Sequence, residues 1–123
     1  MDVSLLFKRR FLSEDTSLPM MFMDDAVRAT IDIMNAAATD VKVRSSYNIA
    51  ATSFTPKELT SAIQELLPEF TIRYEPDFRQ KIADSWPESI DDSTATNDWN
   101  WSSAFDMKAI VSEMITNLKT MLV

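Results

Sequence analysis

The three tryptophans of this chain all lie in one stretch, Asp77–Trp101, with the sequence D-F-R-Q-K-I-A-D-S-W-P-E-S-I-D-D-S-T-A-T-N-D-W-N-W. This stretch predicts two short helices. The first covers Phe78–Asp84 and ends before Pro87, because the residue before a proline disfavours helical backbone. The second is capped by Asp91 or Asp92 and ends just before the second tryptophan. Acidic residues crowd around the aromatic ones, which is unusual for a simple amphipathic helix.

Two longer helices flank this stretch. The first begins at Thr55, where a proline at the first helical position and Glu58 complete a capping box, and it ends at Pro68. A short strand is predicted over Phe70–Tyr74, where apolar and polar residues alternate. The last helix begins near Asp106, and its apolar residues at helical spacing are Met107, Ile110, Val111, Met114, Ile115, Leu118 and Leu122.

The N-terminal part predicts a further helix and one or two strands. Asp24 and Asp25 begin the helix, where acidic residues favour the positive end of the helix dipole. Three apolar residues follow on one helical face, namely Val27, Ile31 and Met34. Alternation over residues 41–51 predicts the strands. The fold class is therefore α/β, or an α+β-like fragment, with too few strands for an independent doubly wound sheet.

Composition excludes several classes of function. The 123 residues carry a net charge of −7 with no basic stripe, which argues against nucleic-acid binding. The chain has no cysteine and no histidine, so it lacks a thiolate nucleophile and the commonest metal ligand. It also has no glycine, which the phosphate-binding turns of dinucleotide and P-loop sites require. No apolar run is long enough to span a membrane, and we expect a soluble cytoplasmic protein.

Three segments, in chain order, resemble one enzyme family. They are Phe11–Met34 with its L-P-M-M-F-M run, Ser46–Leu59, and R-Q-K-I-A-D-S-W-P followed by D-D-S-T-A-T-N-D-W-N-W. Together they are similar to the C-terminal part of L-threonine 3-dehydrogenases of the extended short-chain-dehydrogenase type, within the NAD-dependent epimerase/dehydratase superfamily. The resemblance implies a substrate-binding subdomain over residues 11–123, with residues 1–10 as an N-terminal junction. The chain departs from the family at Asn100, where glycine is common.

The resemblance also implies a reaction that this chain cannot complete. Such enzymes oxidise the 3-hydroxyl of L-threonine to 2-amino-3-ketobutyrate and pass hydride to NAD. They need a Gly-rich turn and a Tyr-x-x-x-Lys pair, in which lysine lowers the pKa of the tyrosine. Here Tyr47 and Tyr74 are followed four residues later by Ala51 and Phe78. We assign no catalytic, cofactor-binding or metal-binding residue and expect the chain to be inactive alone.

The family resemblance places the substrate-binding candidates in the D-S-W-P segment. Trp86 would close over the bound amino acid, and Asp84 and Ser85 would offer polar contacts to its ammonium or hydroxyl group. The alternative is that Trp86 packs and Asp84 is a surface charge at a helix end. Pro19 and Met20 are expected at the interface with the missing nucleotide-binding half, with simple packing as the alternative.

Other conspicuous residues have structural explanations. Arg79 stands where related epimerases contact a substrate phosphate, but threonine has none, so an ion pair with a nearby aspartate is expected. The last two tryptophans are expected to be core or edge aromatics. Three carboxylates, Asp91, Asp92 and Asp98, lack the spacing of a calcium loop, and helix capping explains them better.

Three hypotheses on the role of the chain stay open at this point. The chain is the substrate-binding portion of a threonine dehydrogenase, either inactive by itself or a working half whose activity a separately encoded Rossmann half restores. It is a non-catalytic interaction module or remnant that kept the fold, or it is a truncated relative of sugar-nucleotide epimerases. In each case we expect an exposed apolar face that favours association with a partner or with itself.

Overall fold

The computed structural model describes residues 9–122, in which helices alternate with short strands. The elements are β1 (Arg9–Arg10), β2 (Leu18–Met20), α1 (Met23–Asn35), β3 (Thr52–Phe54), α2 (Pro56–Leu66), β4 (Arg73–Tyr74), α3 (Arg79–Asp84), α4 (Ser93–Trp99) and α5 (Met107–Met121). This mixture confirms the predicted fold class. Of the predicted junction, residues 1–8 lie outside the described part, and residues 9 and 10 form β1.

The strands of the described residues form two separate sheets of two strands each. β1 runs parallel to β4, and β2 runs antiparallel to β3 with Pro19 opposite Ser53. The sheet of β1 and β4 joins Arg10 to the body of the chain, and the amide of Glu75 donates to its carbonyl at 2.7 Å. Sheets of two strands do not build a doubly wound nucleotide-binding core.

Helix α2 begins as its sequence predicts. The amide of Glu58 donates to Thr55 Oγ1 at 3.2 Å, and the amide of Thr55 donates to Glu58 Oε2 at 2.8 Å, so the capping box is complete. The helix packs against α5, whose first turn is capped by Asp106 accepting from the amide of Ala109 at 2.8 Å. Between the two helices lies a buried cluster of Ala62, Val111 and Ile115.

A second buried cluster joins α1 to the end of α4. It contains Ala29, Ala95, Trp99 and Trp101, with the two indole rings 6.0 Å apart. Asn100 lies between the tryptophans with φ 59° and ψ 36°, the left-handed conformation that asparagine tolerates better than most residues. The left-handed turn at this position is therefore made with asparagine. Both tryptophans are core residues, as the sequence indicated.

The predicted strands over residues 41–51 are wrong. The segment is irregular, and β3 begins only at Thr52. Two of its backbone amides donate to side-chain oxygens and not to a neighbouring strand. The amide of Val43 donates to Tyr47 Oη at 3.0 Å, and the amide of Ala50 donates to Asp92 Oδ2 at 3.2 Å. Similarly, only Arg73–Tyr74 of the strand predicted over residues 70–74 is paired.

The apolar face predicted for α1 exists, but it points outward. Val27, Ile31 and Met34 are 53%, 51% and 78% exposed, whereas Asp25 and Ala29 on the opposite side are buried. The amphipathic pattern located the face correctly but could not tell which side the rest of the chain covers.

Within residues 9–122, no helix is long and apolar enough to cross a membrane.

Candidate functional site

A largely apolar groove lies between α3 and the sheet of β2 and β3. Its volume is about 570 Å³. Six of the residues that line it are Phe11, Leu18, Met20, Phe54, Ile82 and Trp86. The groove therefore brings Trp86, a predicted substrate contact, to the same surface as Met20, a predicted contact of the missing half. They are 66 positions apart in the sequence, and the fold brings them to the lining of one groove.

Trp86 is the second residue after α3, lines the groove and is 58% exposed. Its amide donates to the carbonyl of Ala83 at 3.0 Å, which extends the last turn of the helix and fixes where the side chain begins. Pro87 then ends the helical backbone. An indole at such a position has one face available to cover a molecule in the groove.

A smaller polar cleft also borders Trp86. Its volume is about 270 Å³, and Ser13, Thr16, Gln80, Asp84 and Glu88 help to line it. Gln80 organises this cleft: its side-chain amide donates to Thr16 Oγ1 at 2.9 Å and to Asp84 Oδ1 at 2.7 Å. Trp86 lines this cleft as well as the apolar groove, so one residue borders both an apolar space and an acidic one.

Of the two polar candidates beside Trp86, only Asp84 lines a cleft. Its Oδ2 makes no hydrogen bond within the described residues and is open to a cation or donor. The hydroxyl of Ser85 donates to the carbonyl of Ile82 at 2.6 Å and so caps the end of α3. Ser85 lines neither the groove nor the polar cleft, so its role as a substrate contact has no geometric support.

Arg79 forms the ion pair that the sequence indicated. Its guanidinium donates to both carboxylate oxygens of Asp77, with the shortest contact at 2.6 Å. The same group lies 3.7 Å from the ring centroid of Phe11, a cation–π contact. The hydrogen bonds from Arg79 hold the pKa of Asp77 below its ordinary value. Arg79 therefore lines the groove while its charge is paired with the carboxylate of Asp77.

Pro19 and Met20, the two predicted interface residues, face different spaces. Successive residues of a strand point to opposite sides of the sheet. Met20 is 47% exposed and lines the apolar groove. Pro19 lines a third space of about 440 Å³, together with Asp92, Trp101 and Ser102. Their place at an interface with a nucleotide-binding half stays a prediction.

Asp25 is a buried charge whose role the sequence did not reveal. It is 0% exposed and accepts from the amides of Ala104 and Phe105 at 2.9 and 3.0 Å, and from Arg28 at 2.8 Å. Burial raises its pKa, but the hydrogen bonds from Ala104, Arg28 and Phe105 outweigh burial and hold the pKa below its ordinary value. The carboxylate ties the start of α1 to the loop before α5. An Asp followed by Arg three residues later was the available signal.

The acidic residues around α4 accept hydrogen bonds from backbone amides and from a tyrosine hydroxyl. Asp91 accepts from the amide of Ser93 at 3.0 Å, and Asp92 accepts from the amide of Ala50. Asp98 accepts from Tyr47 Oη at 2.7 Å. Among residues 9–122, no group of three or more acidic side chains lies close enough together to hold a metal ion.

Comparison with known proteins shows that this chain is similar to L-threonine 3-dehydrogenases. The mitochondrial L-threonine 3-dehydrogenase of Bos taurus is 47% identical over 105 residues, which are 85% of this chain and 28% of that protein. A solved structure of a GalE-like L-threonine dehydrogenase from Cupriavidus necator superimposes with a TM-score of 0.89. It is 52% identical, and the match covers 94% of this chain and 38% of that one. The chain resembles the C-terminal part of an L-threonine 3-dehydrogenase, as predicted.

The resemblance to threonine dehydrogenases extends to more broadly named proteins. An uncharacterized epimerase/dehydratase of Staphylococcus saprophyticus is 42% identical over 106 residues. The chain spans 28% and 33% of the lengths of the bovine and staphylococcal relatives. No family model matches the chain.

The residues present do not fit a dinucleotide cofactor. A Gly-rich turn is needed so that the backbone can approach the pyrophosphate, and this chain has no glycine. Neither tyrosine is followed by lysine four residues later. Tyr47 donates to Asp98, and Tyr74 shares a 3.1 Å hydrogen bond with Thr60. Both tyrosine hydroxyls are therefore hydrogen-bonded to side chains of this chain. No step of a hydride transfer can be assigned to its residues.

Proposed function

We propose that this chain is the substrate-binding portion of an NAD-dependent L-threonine 3-dehydrogenase-like oxidoreductase and that it is inactive alone. The observation that carries this proposal is the groove that both Trp86 and Met20 line, on a chain 52% identical to a solved threonine dehydrogenase. The complete reaction would convert L-threonine to 2-amino-3-ketobutyrate. A nucleotide-binding half would supply NAD, the catalytic tyrosine and the lysine.

The two spaces on either side of Trp86 suit the two ends of an amino acid. Asp84 provides a carboxylate oxygen for an ammonium group, a charge-assisted contact. The apolar groove provides a surface for a methyl group. Trp86 between them would exclude water from the carbon that loses hydride, which strengthens electrostatic contacts there. Ser85 is left out of this arrangement because its hydroxyl caps α3.

The proposed role of Trp86 is tested by a matched pair of alanine variants. Trp86→Ala removes the ring at the groove, whereas Phe78→Ala removes a ring that is 72% exposed immediately before α3 and does not line the groove. In an enzyme reconstituted with a nucleotide-binding half, Trp86→Ala should raise the KM for threonine about tenfold or more and leave the KM for NAD unchanged. Phe78→Ala should change neither. Equal effects of both variants would contradict the proposal.

The alternative of a non-catalytic interaction module makes the opposite prediction. Such a module would bind a nucleotide-binding half without any threonine-dependent turnover. A cytoplasmic location is also part of the proposal, and the bovine relative is named as mitochondrial. The substrate-binding hypothesis is preferred because the groove and the acidic cleft adjoin the same tryptophan.

A further inference from the structure

The side chain of Gln80 joins the two walls of the polar cleft that borders Trp86. One wall is the loop between β1 and β2, which contributes Ser13 and Thr16, and the other is α3, which contributes Gln80 and Asp84. Gln80 lies 67 positions from Ser13 and 64 positions from Thr16. The shape of the cleft therefore depends on contacts between distant parts of the chain.

The amide group of Gln80 forms a hydrogen bond with each of three neighbours. Its Oε1 accepts from the amide of Ser13 at 2.6 Å. Its Nε2 donates to Thr16 Oγ1 at 2.9 Å and to Asp84 Oδ1 at 2.7 Å. A primary amide has two N–H donors, so both of them are engaged. Because these bonds point in different directions, they fix the plane of the half-buried amide, and a rotation that shortens one bond lengthens another.

Asp84 is the neighbour whose orientation this arrangement decides. It lies one helical turn after Gln80 on the same face of α3, and it is exposed, so its side chain would otherwise move freely between rotamers. The bond from Gln80 engages Oδ1 and leaves Oδ2 for a ligand. A neutral amide orients the carboxylate without cancelling its charge, whereas Asp77 is neutralised by its ion pair with Arg79.

The cleft around this carboxylate favours a cationic group. Of the described residues that line it, three are acidic, namely Asp15, Asp84 and Glu88, and none is basic. An ammonium group in the cleft gains a charge-assisted hydrogen bond from Asp84. Because the carboxylate is already held in place, binding does not have to order this side chain, which would otherwise weaken the affinity.

We propose that Gln80 is a positioning residue that holds Asp84 so that its remaining carboxylate oxygen receives the ammonium group of an α-amino acid. This inference rests on the proposed function, in which that amino acid is L-threonine, and it names the residue that sets the affinity for the amine. Gln80 acts through Asp84 and does not itself contact the substrate.

A positioning role and a purely structural role predict different kinetics. Loss of a structural link between the two walls lowers the amount of folded protein, which reduces the apparent kcat and leaves the KM unchanged. Loss of a positioning residue raises the KM for threonine and leaves kcat nearly unchanged, because the ammonium contact is made equally in the ground state and in the transition state.

The test is a double-mutant cycle in the enzyme reconstituted with the nucleotide-binding half of a threonine dehydrogenase. Gln80→Met keeps the length of the side chain and removes its hydrogen bonds, and it should raise the KM for threonine about fivefold or more. Asp84→Asn removes the charge and should raise this KM about tenfold or more. Adding Gln80→Met to Asp84→Asn should change the KM by less than about twofold further, because the two residues act as one unit.

A second variant changes position alone and does not depend on the folding of Gln80→Met. Asp84→Glu keeps the charge at an exposed site but moves the carboxylate by one methylene relative to Gln80. It should raise the KM for threonine about threefold or more. The matched control is Gln64→Met. The Nε2 of Gln64 donates to the carbonyl of Phe70 at 3.0 Å, and the residue lines neither the groove nor the cleft, so its substitution should leave the KM unchanged.

Each outcome supports or overturns the inference. An unchanged KM in Gln80→Met or in Asp84→Glu, or an equal rise in Gln64→Met, would overturn it. A rise caused by Gln80→Met that is the same with and without the charge at position 84 would also overturn it. In these cases threonine-dependent NADH still forms, and the proposed function stands. No NADH from the unaltered mixture would refute the proposed function and this inference with it.

Discussion

Replacing Asp25 by asparagine should cost this chain about 3 kcal/mol of its free energy of unfolding. The substitution keeps the shape of the side chain but removes the charge that accepts from Ala104, Phe105 and Arg28 at 2.8–3.0 Å. A hydrogen bond to a charged group contributes about 1 kcal/mol more than a neutral one, and three are affected. The asparagine amide also presents hydrogens to donors. A loss of about 3 kcal/mol is a large share of the roughly 5–15 kcal/mol that is typical of a folded protein.

The assay for this prediction is urea unfolding followed by tryptophan fluorescence. Trp99 and Trp101 are 8% and 1% exposed, so their emission reports the cluster beside α1. The matched control is Asp32→Asn, which removes the other carboxylate on Arg28, an oxygen 3.2 Å away and 42% exposed. That variant should cost less than about 0.5 kcal/mol, as for exposed pairs on a helix. Equal shifts of the urea midpoint in both variants would refute the assignment of Asp25 as the buried anchor.

The carboxylate of Asp25 should make the free energy of unfolding depend on pH in the acidic range. Its pKa is lowered in the folded chain from an ordinary value of 3.8, so the unfolded chain binds the proton more readily. The stabilisation is therefore complete above the unfolded pKa and is lost as the pH falls through the folded pKa. We expect the stability difference between the unaltered chain and Asp25→Asn to shrink progressively below about pH 4. A difference that stays constant down to about pH 2 would contradict this account.

Three further predictions concern local structure and are checked by thermal unfolding. Asn100→Gly should change stability by less than about 0.5 kcal/mol, whereas Asn100→Val should cost more than about 1 kcal/mol, because a β-branched residue disfavours φ 59°. Thr55→Ala should cost about 1 kcal/mol by removing the capping box; Ser61→Ala, which removes an exposed hydroxyl bonded within the same helix, should have little effect. Ile115→Val should cost about 1 kcal/mol in the cluster between α2 and α5, whereas the 80% exposed Met121 should tolerate Met121→Ala. Equal effects within any of these pairs would contradict the corresponding assignment.

The sequence predicts the features that depend on neighbours along the chain. The start of α2 at Thr55 follows from residues three positions apart, and the cap of α5 at Asp106 is similarly local. Features that depend on distant residues are not predictable in this way. Residues 41–51 have a strand pattern but no partner strand in the described chain, and side chains from elsewhere hold their backbone. The outward direction of Val27 and its neighbours has the same cause, since periodicity locates a face without saying what covers it.

The candidate site likewise has features that the local sequence predicts and features that depend on distant residues. The D-S-W-P motif alone indicates Trp86, but the groove that Trp86 and Met20 both line depends on residues far apart in the sequence. The motif also indicates Ser85 as a substrate contact. In the structure its hydroxyl instead donates to the carbonyl of Ile82 at the end of the six-residue helix α3. The sequence indicates that Asp25 is a helix-end charge, whereas its carboxylate is fully buried on backbone amides nearly 80 positions away.

The most direct test of the central claim is threonine-dependent formation of NADH, measured with this chain alone and then mixed with the nucleotide-binding half of a threonine dehydrogenase. We expect no NADH from either component alone and sustained, threonine-dependent NADH from the mixture. A complex of the two that forms but produces no NADH at any threonine concentration would contradict the claim that this chain supplies the substrate-binding portion.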